Sequence, residues 1–380
     1  MQKNKRRVIG IVSLYNPKTD LKAHSGILYK INKAVKDAGY ETRWIRIQIP
    51  ISYKFLSLCC RVIHKLTGHT IYLDRTFIGS KLICNTIDNE ALMQSDVVMI
   101  IHYQHILYGI KTDKPVIYHS DATFELINNY YLHNMYQWNE RQAEYMEKTG
   151  LNKATLHLSS SAWRQDSIIN HYGISAEKCR ELEYGPCVET DGIRSHSFGD
   201  GILRILFMGV DWERKGGDIA VETVRLLNER GIKTQLIIVG LHRIPESCRG
   251  ENYIDFRGYL NKNIPEQYDE LKQIFSLSEL LLLPTKAECS AVVFCESQHY
   301  GLPVITYDTG GVGSYVVNGV SGYRLPEGAP AEAFADKIEQ IIKDGEQPKL
   351  STGALQYAQN KLTWSNWTEC LKEYFDNNEA

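Results

Sequence analysis

The sequence predicts an α/β protein of two doubly wound domains, and three observations carry that expectation. Short apolar runs alternate with longer helical patterns from one end of the chain to the other. Several of the runs are apolar at consecutive positions, as in parallel strands covered by helices on both faces. The length, 380 residues, suits two domains at roughly 100–200 residues each.

Strands are expected at 7–13, 95–102, 115–120, 154–159, 203–209, 234–240, 254–258, 279–284 and 303–308. Helices are expected at 26–38, 53–66, 89–94, 122–148, 163–172, 217–230, 266–275 and 331–343. This strand–helix–strand repetition implies parallel sheets. Glu189 to Gly201 is polar and Gly-rich, which reads as a linker. The domains are therefore drawn at 1–195 and 196–362, with a last helix over 363–380. That helix carries Trp364, Trp367, Leu371 and Phe375 on one stripe, a packing face rather than a ligand box. In open α/β sheets ligands bind at the carboxyl ends of strands, so a cleft between two such domains is expected.

Composition excludes several classes. Hydrophobic residues make up 43% and charged residues 23%, a globular balance rather than a disordered one. Forty-three Lys and Arg against 45 Asp and Glu give a net charge of −2, unlike a chain whose affinity rests on clustered cations for nucleic acid. The nine Cys include no CxxC pair and read as reduced thiols. No apolar run approaches the length of a membrane span, and Val8–Tyr15 is too short and interrupted for a signal peptide. A soluble, cytoplasmic protein, at most membrane-attached, is expected.

Three Gly-rich or loop segments follow predicted strands. In LRILFMGVDWERKGG (203–217), Gly209 allows a sharp turn, Arg214 and Lys215 bring positive charge, and Gly216-Gly217 admit close approach to the backbone. Cations beside a helix start suit a diphosphate. In PTKAECSAVVFCESQHYGLP (284–303), Glu288 and Glu296 stand eight apart. Spacing alone is weak, because Glu181 and Glu189 share it. Context separates the pairs: Glu288 follows an apolar strand, and Glu296 lies inside a helix whose start offers N–H groups to an anion. The third segment is Thr309–Gly313.

The order FMGVDWERKGG, RGYL (257–260), the E-x7-E segment ending in YGLPVITYDTGG, and NGVSGYRLP (318–326) resembles glycosyltransferase family 4, the glycosyl transferases group 1. Ser25-Gly26, Tyr29, KPVIYHSDATF, SSSAW and Tyr172-Gly173 resemble a bacterial subgroup of it. The resemblance implies the GT-B fold: two Rossmann-like domains, the first binding acceptor and the second a nucleotide sugar, with the last helix crossing back to the first. It implies transfer of a hexose-type sugar from a UDP- or GDP-linked donor with retention at the anomeric carbon and no required metal or other cofactor. The acceptor would be a hydroxyl of a glycan or lipid-linked glycan in bacterial cell-surface polysaccharide synthesis.

Carried over by position, Glu296 would hold the ribose hydroxyls and Glu288 the hydroxyls of the donor sugar. Arg214 and Lys215, beyond Gly209, would neutralise the diphosphate. Ser290, Ala291, Val292 and Val293 would present amides to phosphate or sugar oxygens. Gly258, Tyr259 and Leu260 would frame the base, Gly26 would approach the β-phosphate, and Asp121, favoured over His119, would orient a hydroxyl. Three positions depart from the family pattern: Val210 in place of Arg, Ser290-Ala291 in place of Phe-Gly, and Gly313-Ser314 in place of a Glu. They bear on donor identity more than on reaction type. A sugar-nucleotide 2-epimerase of the same architecture and a non-catalytic nucleotide-sugar binder are the competing readings.

Two further features stand apart. The helix over 53–66 has Phe55, Cys59, Val62, Ile63 and Leu66 on one face and Lys54, Arg61 and Lys65 on another. It fits both a helix packed on the first sheet and one resting on an anionic membrane at the inner face. His102 and His105 follow a predicted strand, but no third ligand at metal spacing accompanies them, so no zinc site is expected.

Overall fold

A computed structural model describes residues 7–190 and 200–377; most of the predicted linker lies outside them. The strands in chain order are β1 (Val8–Ser13), β2 (Glu41–Arg46), β3 (Val97–Ile101), β4 (Val116–Ser120), β5 (Leu156–Ser159) and β6 (Cys179–Glu181). They continue with β7 (Leu203–Met208), β8 (Thr234–Val239), β9 (Ile254–Gly258), β10 (Leu280–Leu283), β11 (Val304–Tyr307) and β12 (Gly322–Leu325). They form two six-stranded sheets ordered β2-β1-β3-β4-β5-β6 and β12-β11-β10-β7-β8-β9. All named pairings are parallel, and β7 and β8 keep register from Leu203↔Thr234 to Met208↔Val239.

The chain divides into two compact units, Met1–Leu182 with Ser365–Ala380, and Glu183–Trp364. The sequence drew this division at 195/196. It falls earlier because 183–190 are bound into the second unit. The Tyr184 amide donates to the Tyr315 hydroxyl at 3.2 Å, and the Glu189 amide to the Tyr268 hydroxyl at 2.7 Å. Lys361 pairs with Glu183 at 3.1 Å.

Within each unit the central strands are the apolar ones. Every residue of β1, β3, β4 and β5 is buried, as is every residue of β10 and β11. Helices cover these strands with amphipathic faces. Ile27–Asp37 buries Ile27, Leu28, Ile31, Ala34 and Val35, and Ala331–Lys343 buries Phe334, Ala335, Ile338 and Ile341. Both stripes repeat at helical spacing.

The predicted helix over 122–148 is two helices, Phe124–Ile127 and Gln137–Leu151. Asn129 and Asn134 take left-handed φ of 60° and 54° between them, a conformation Asn tolerates and a helix does not. The last helix, Trp364–Asp376, belongs to the first unit from Ser365 onward. Trp367, Leu371 and Phe375 are buried on it. Trp367 meets the His119 ring edge-on at 4.9 Å, and Phe375 meets Tyr40 at 4.6 Å. Trp364 departs from that stripe, its indole N–H donating to the Pro186 carbonyl at 2.9 Å in the second unit.

Candidate active site

The second sheet, read outward from β7, has the strand order of a dinucleotide-binding fold, with the order reversing between β7 and β10. Ligands of such sheets sit at the carboxyl ends of the strands beside that reversal. The loops that leave those two strands hold Gly209–Gly217 and Pro284–Glu288.

Glycines bring these loops together. Gly216 has φ +73°, and a Cβ there would lie 2.1 Å from the Pro284 carbonyl oxygen. Only glycine satisfies both the left-handed backbone and that approach. A Cβ at Gly209 would lie 2.8 Å from Cγ of Lys215, so the Lys215 stem crosses where a side chain would stand. The Lys286 amide donates to the Arg214 carbonyl at 2.8 Å, joining the two loops by main chain.

The charged groups then converge. Lys215 Nζ donates to Glu288 Oε2, and both residues are buried. Arg214 Nη1 donates to the Ala287 carbonyl at 2.8 Å and lies 3.9 Å from the same Glu288 oxygen. Its Nε reaches Asp211 at 3.3 Å. Lys215 and Arg214 thus stand together at the strand end, each already held by a carboxylate, where an incoming anion can share their N–H donors.

Glu296, buried in the helix Val292–His299, is held at 2.7 Å by Lys262 Nζ. Burial opposes the Lys262 charge, but Glu296, with Cys187 and Tyr268 nearby, more than offsets it and keeps the ammonium above its ordinary range. Lys262 is a residue the sequence reading missed. Its only signal is a position four residues beyond Gly258, where β9 ends. The helix bearing Glu296 has Ala291 at its cap position, with no side chain bonding its first turn. Ser290, Val292 and Val293 flank that uncapped start, and Ser290 Oγ is buried without a hydrogen-bond partner among the described residues. Gly258 ends β9 at φ +73°; Tyr259 then stacks on His242 at 4.8 Å, with Leu260 following. Val210, which stands where the family pattern has Arg, is exposed.

Gly26 and Asp121 lie in the first unit. Gly26, at φ 97°, caps the helix Ile27–Asp37. Asp121 follows β4, with Oδ2 3.8 Å from His102 Nδ1. The sequence reading found no third ligand to accompany its histidines; the fold supplies one, since ligand atoms of His102, His119 and Asp121 lie within 4.8 Å of one another. His105 is outside this group. Burial lowers it to about 4, with Asp74 and Arg75 as its charged neighbours. Burial, with His102 beside it, also holds His119 well below the usual imidazole range.

Two parallel doubly wound sheets, with a C-terminal helix that returns to the first unit, define the GT-B class of α/β proteins. Comparison with known proteins agrees. Residues 191–358 match the family described as glycosyl transferases group 1. A sucrose-phosphate synthase from Thermosynechococcus elongatus superposes with a TM-score of 0.63 at 15% identity, over 98% of this chain and 99% of that one. Anabaena HepE in complex with UDP and glucose superposes with a TM-score of 0.64 at 15% identity, over 98% and 100%. At that identity the likeness is one of fold.

Among curated relatives, the UDP-N-acetylglucosamine–peptide N-acetylglucosaminyltransferase GtfA subunit of Streptococcus gordonii is 30% identical over 146 residues, 36% of this chain and 27% of its own length. A D-inositol 3-phosphate glycosyltransferase of Pseudarthrobacter chlorophenolicus is 22% identical over 244 residues, 60% of this chain and 56% of its own length. The matched regions thus span about a quarter to somewhat over half of those relatives.

Proposed function

We propose that this chain is a retaining glycosyltransferase of group 1, moving a hexose-type sugar from a UDP- or GDP-linked donor to a hydroxyl of a glycan or lipid-linked glycan. The observation that carries the reading is the convergence of Lys215 and Arg214 on Glu288 at the strand-order reversal, within the segment that matches the family. A family 4 place in bacterial cell-surface polysaccharide synthesis goes with it.

The bond from the anomeric carbon to the diphosphate breaks as the acceptor oxygen bonds on the same face, through an oxocarbenium-like state. The acceptor proton passes to a departing phosphate oxygen. Negative charge grows on the diphosphate, and Lys215 and Arg214 stabilise it where water is excluded, so the reaction as proposed assigns that task to side chains. Glu288 receives the sugar hydroxyls. Glu296, released from Lys262 or sharing it, receives the ribose hydroxyls. Amides of 290–293 take phosphate or sugar oxygens, Gly258–Leu260 frame the base, Gly26 approaches the β-phosphate, and Asp121 orients a hydroxyl. On this reading the first unit, Met1–Leu182 with Ser365–Ala380, is the acceptor domain and the second, Glu183–Trp364, the donor domain.

The test is incubation with a panel of UDP- and GDP-sugars and candidate acceptors, following free nucleoside diphosphate. Release that depends on acceptor supports the reading. A new epimer of the donor, or binding without turnover, refutes it.

The helix Ile51–Thr67 supports a peripheral place at the inner face of the plasma membrane. None of its residues is buried, although Tyr53 packs partly on the first core. Ile51, Phe55, Leu58, Val62 and Leu66 are exposed along one helical stripe, flanked by Lys54, Arg61 and Lys65. Such a face lies in an anionic lipid interface. Among the described residues no helix is long and apolar enough to cross a membrane.

A further inference from the structure

The first sheet reverses its strand order between β1 and β3, and Asp121 follows β4, the strand beside β3. The chain just beyond Asp121 is held by side chains from more distant helices, a different one for each residue. Thr123 Oγ1 lies 2.6 Å from Ser167 Oγ, which donates to Glu125 Oε2 at 2.9 Å. The Phe124 amide donates to Glu147 Oε2 at 3.2 Å. The Glu125 amide donates to the Tyr172 hydroxyl at 3.1 Å, and that hydroxyl donates to Glu144 Oε2 at 3.0 Å. We propose that Glu147 is a positioning residue for the acceptor side of the reaction: as a carboxylate it fixes the start of the helix Phe124–Ile127 and so the setting of Asp121.

The Glu147 side chain is 1% exposed, and its Oε1 is buried without a hydrogen-bond partner among the described residues. A carboxylate in such a place requires compensating charge. Arg75 supplies it, with Nη1 3.7 Å from Oε2, and so does Arg164, itself fully buried. Arg164 also grips the strand ends. Its Nε donates to Ser120 Oγ at 2.7 Å and its Nη1 to the Leu158 carbonyl at 3.1 Å. Ser120 Oγ then donates across Asp121 to the Ala122 carbonyl at 3.1 Å. Glu147 therefore acts on both flanks of Asp121, through Phe124 on one side and through Arg164 and Ser120 on the other.

Besides the two arginines, the ionisable groups facing Glu147 are Tyr118 of β4, Tyr172, and Glu144 of its own helix. His105 and Asp74 flank Arg75. Burial raises the Glu147 carboxyl to about 7 against the pull of Arg75, Arg164 and the Phe124 amide. Above that pH the carboxylate makes a charge-assisted bond to Phe124 and a pair with Arg75. Below it the added proton removes the charge and weakens both.

The assignment rests on the transferase reading in its kinetic arm alone. In the full chain the ¹⁵N amide signals of Phe124 and Glu125 should titrate together with a midpoint near 7. Glu147→Gln, a neutral isostere, should abolish that titration. At pH 8 the same variant should raise the acceptor KM by about 5–10-fold, as weakening a charge-assisted bond does, and leave the donor KM in place. At pH 6 the two proteins should converge. Amide signals that stay flat between pH 5.5 and 8.5, a titration that persists in Glu147→Gln, or equal acceptor KM at pH 8 would overturn the assignment. Should the unsubstituted protein transfer to no acceptor, the transferase reading fails instead, and the amide signals alone decide whether Glu147 sets this loop.

Discussion

The two sheets reverse strand order at matching places, yet they line those places with opposite chemistry. In the second unit, lysine and arginine close on a carboxylate within loops that glycines hold together. In the first unit, imidazoles gather around Asp121 with a tryptophan from the far end of the chain behind them. The backbone topology creates a place for a ligand, and the side chains decide which ligand. Lysine and arginine suit a diphosphate, whereas imidazoles beside a carboxylate suit a hydroxyl. Each prediction below breaks or sharpens this contrast.

The largest expected effect tests how the first crevice is braced. Trp367→Ala should cost about 3–5 kcal/mol, the usual loss for a buried large aromatic, read as a shifted urea midpoint. Amides of β4 and β5 should lose exchange protection before those of β10 and β11. Next, Lys215→Ala should lower turnover about 10²–10³-fold, as loss of an oxyanion partner does. Combining it with Glu288→Gln should restore stability lost by stranding the buried carboxylate, without restoring turnover. Turnover of Lys215→Ala equal to the unsubstituted protein would remove the electrostatic half of the contrast.

Gly216→Ala should destabilise by about 1–3 kcal/mol, because its left-handed backbone and the Pro284 carbonyl both exclude a Cβ. Thermal melts would record this, and no change would mean that the two loops are not locked together.

Acid should separate the units further. His24 and His105 lie at about 4 in the folded first unit, and His157 at about 3. The unfolded chain then binds more protons below the ordinary imidazole value of 6.5, so the stability they supply is full above 6.5 and falls as pH drops toward 4. Glu147, raised to about 7 by burial, acts oppositely and offsets part of this. In the second unit burial lowers His299 and raises Glu279 to about 7, so the two act with opposite signs. Hydrogen exchange at pH 5 against pH 7 should therefore show protection lost first in the first unit. Equal loss in both units would contradict the buried-imidazole account. The smallest effect concerns the helix Ile51–Thr67: Phe55→Ser with Val62→Ser should reduce flotation with anionic vesicles several-fold at low salt, and unchanged flotation would remove the membrane contact.

Much of this was legible in the sequence. All nine predicted strands are present within a few residues of their expected limits, because most are central strands with unbroken apolar runs. The three strands that escaped, β2, β6 and β12, are all sheet edges. An edge strand shows one side to water, and ETRWIR, CRE and GYRL carry too little continuous hydrophobicity to stand out. The Arg214, Lys215 and Glu288 grouping was readable because each residue lies within a few positions of a strand end, where the order of motifs constrains it. Lys262 was not, since its partner Glu296 is 34 residues away and an ordinary surface lysine looks the same in sequence.

The sequence by itself determined the class: alternation of apolar runs and amphipathic helices permits little besides doubly wound parallel sheets. Glycine at strand ends likewise marks where the backbone turns sharply or is approached closely, because those are local steric demands. Only the tertiary structure decided which distant groups meet. His102, His119 and Asp121 come from two strand ends whose pairing is a property of the sheet, and Trp367 reaches His119 across almost 250 positions of chain. Contacts of that kind depend on strand order and register, which no local pattern encodes, so the first crevice became visible only after folding.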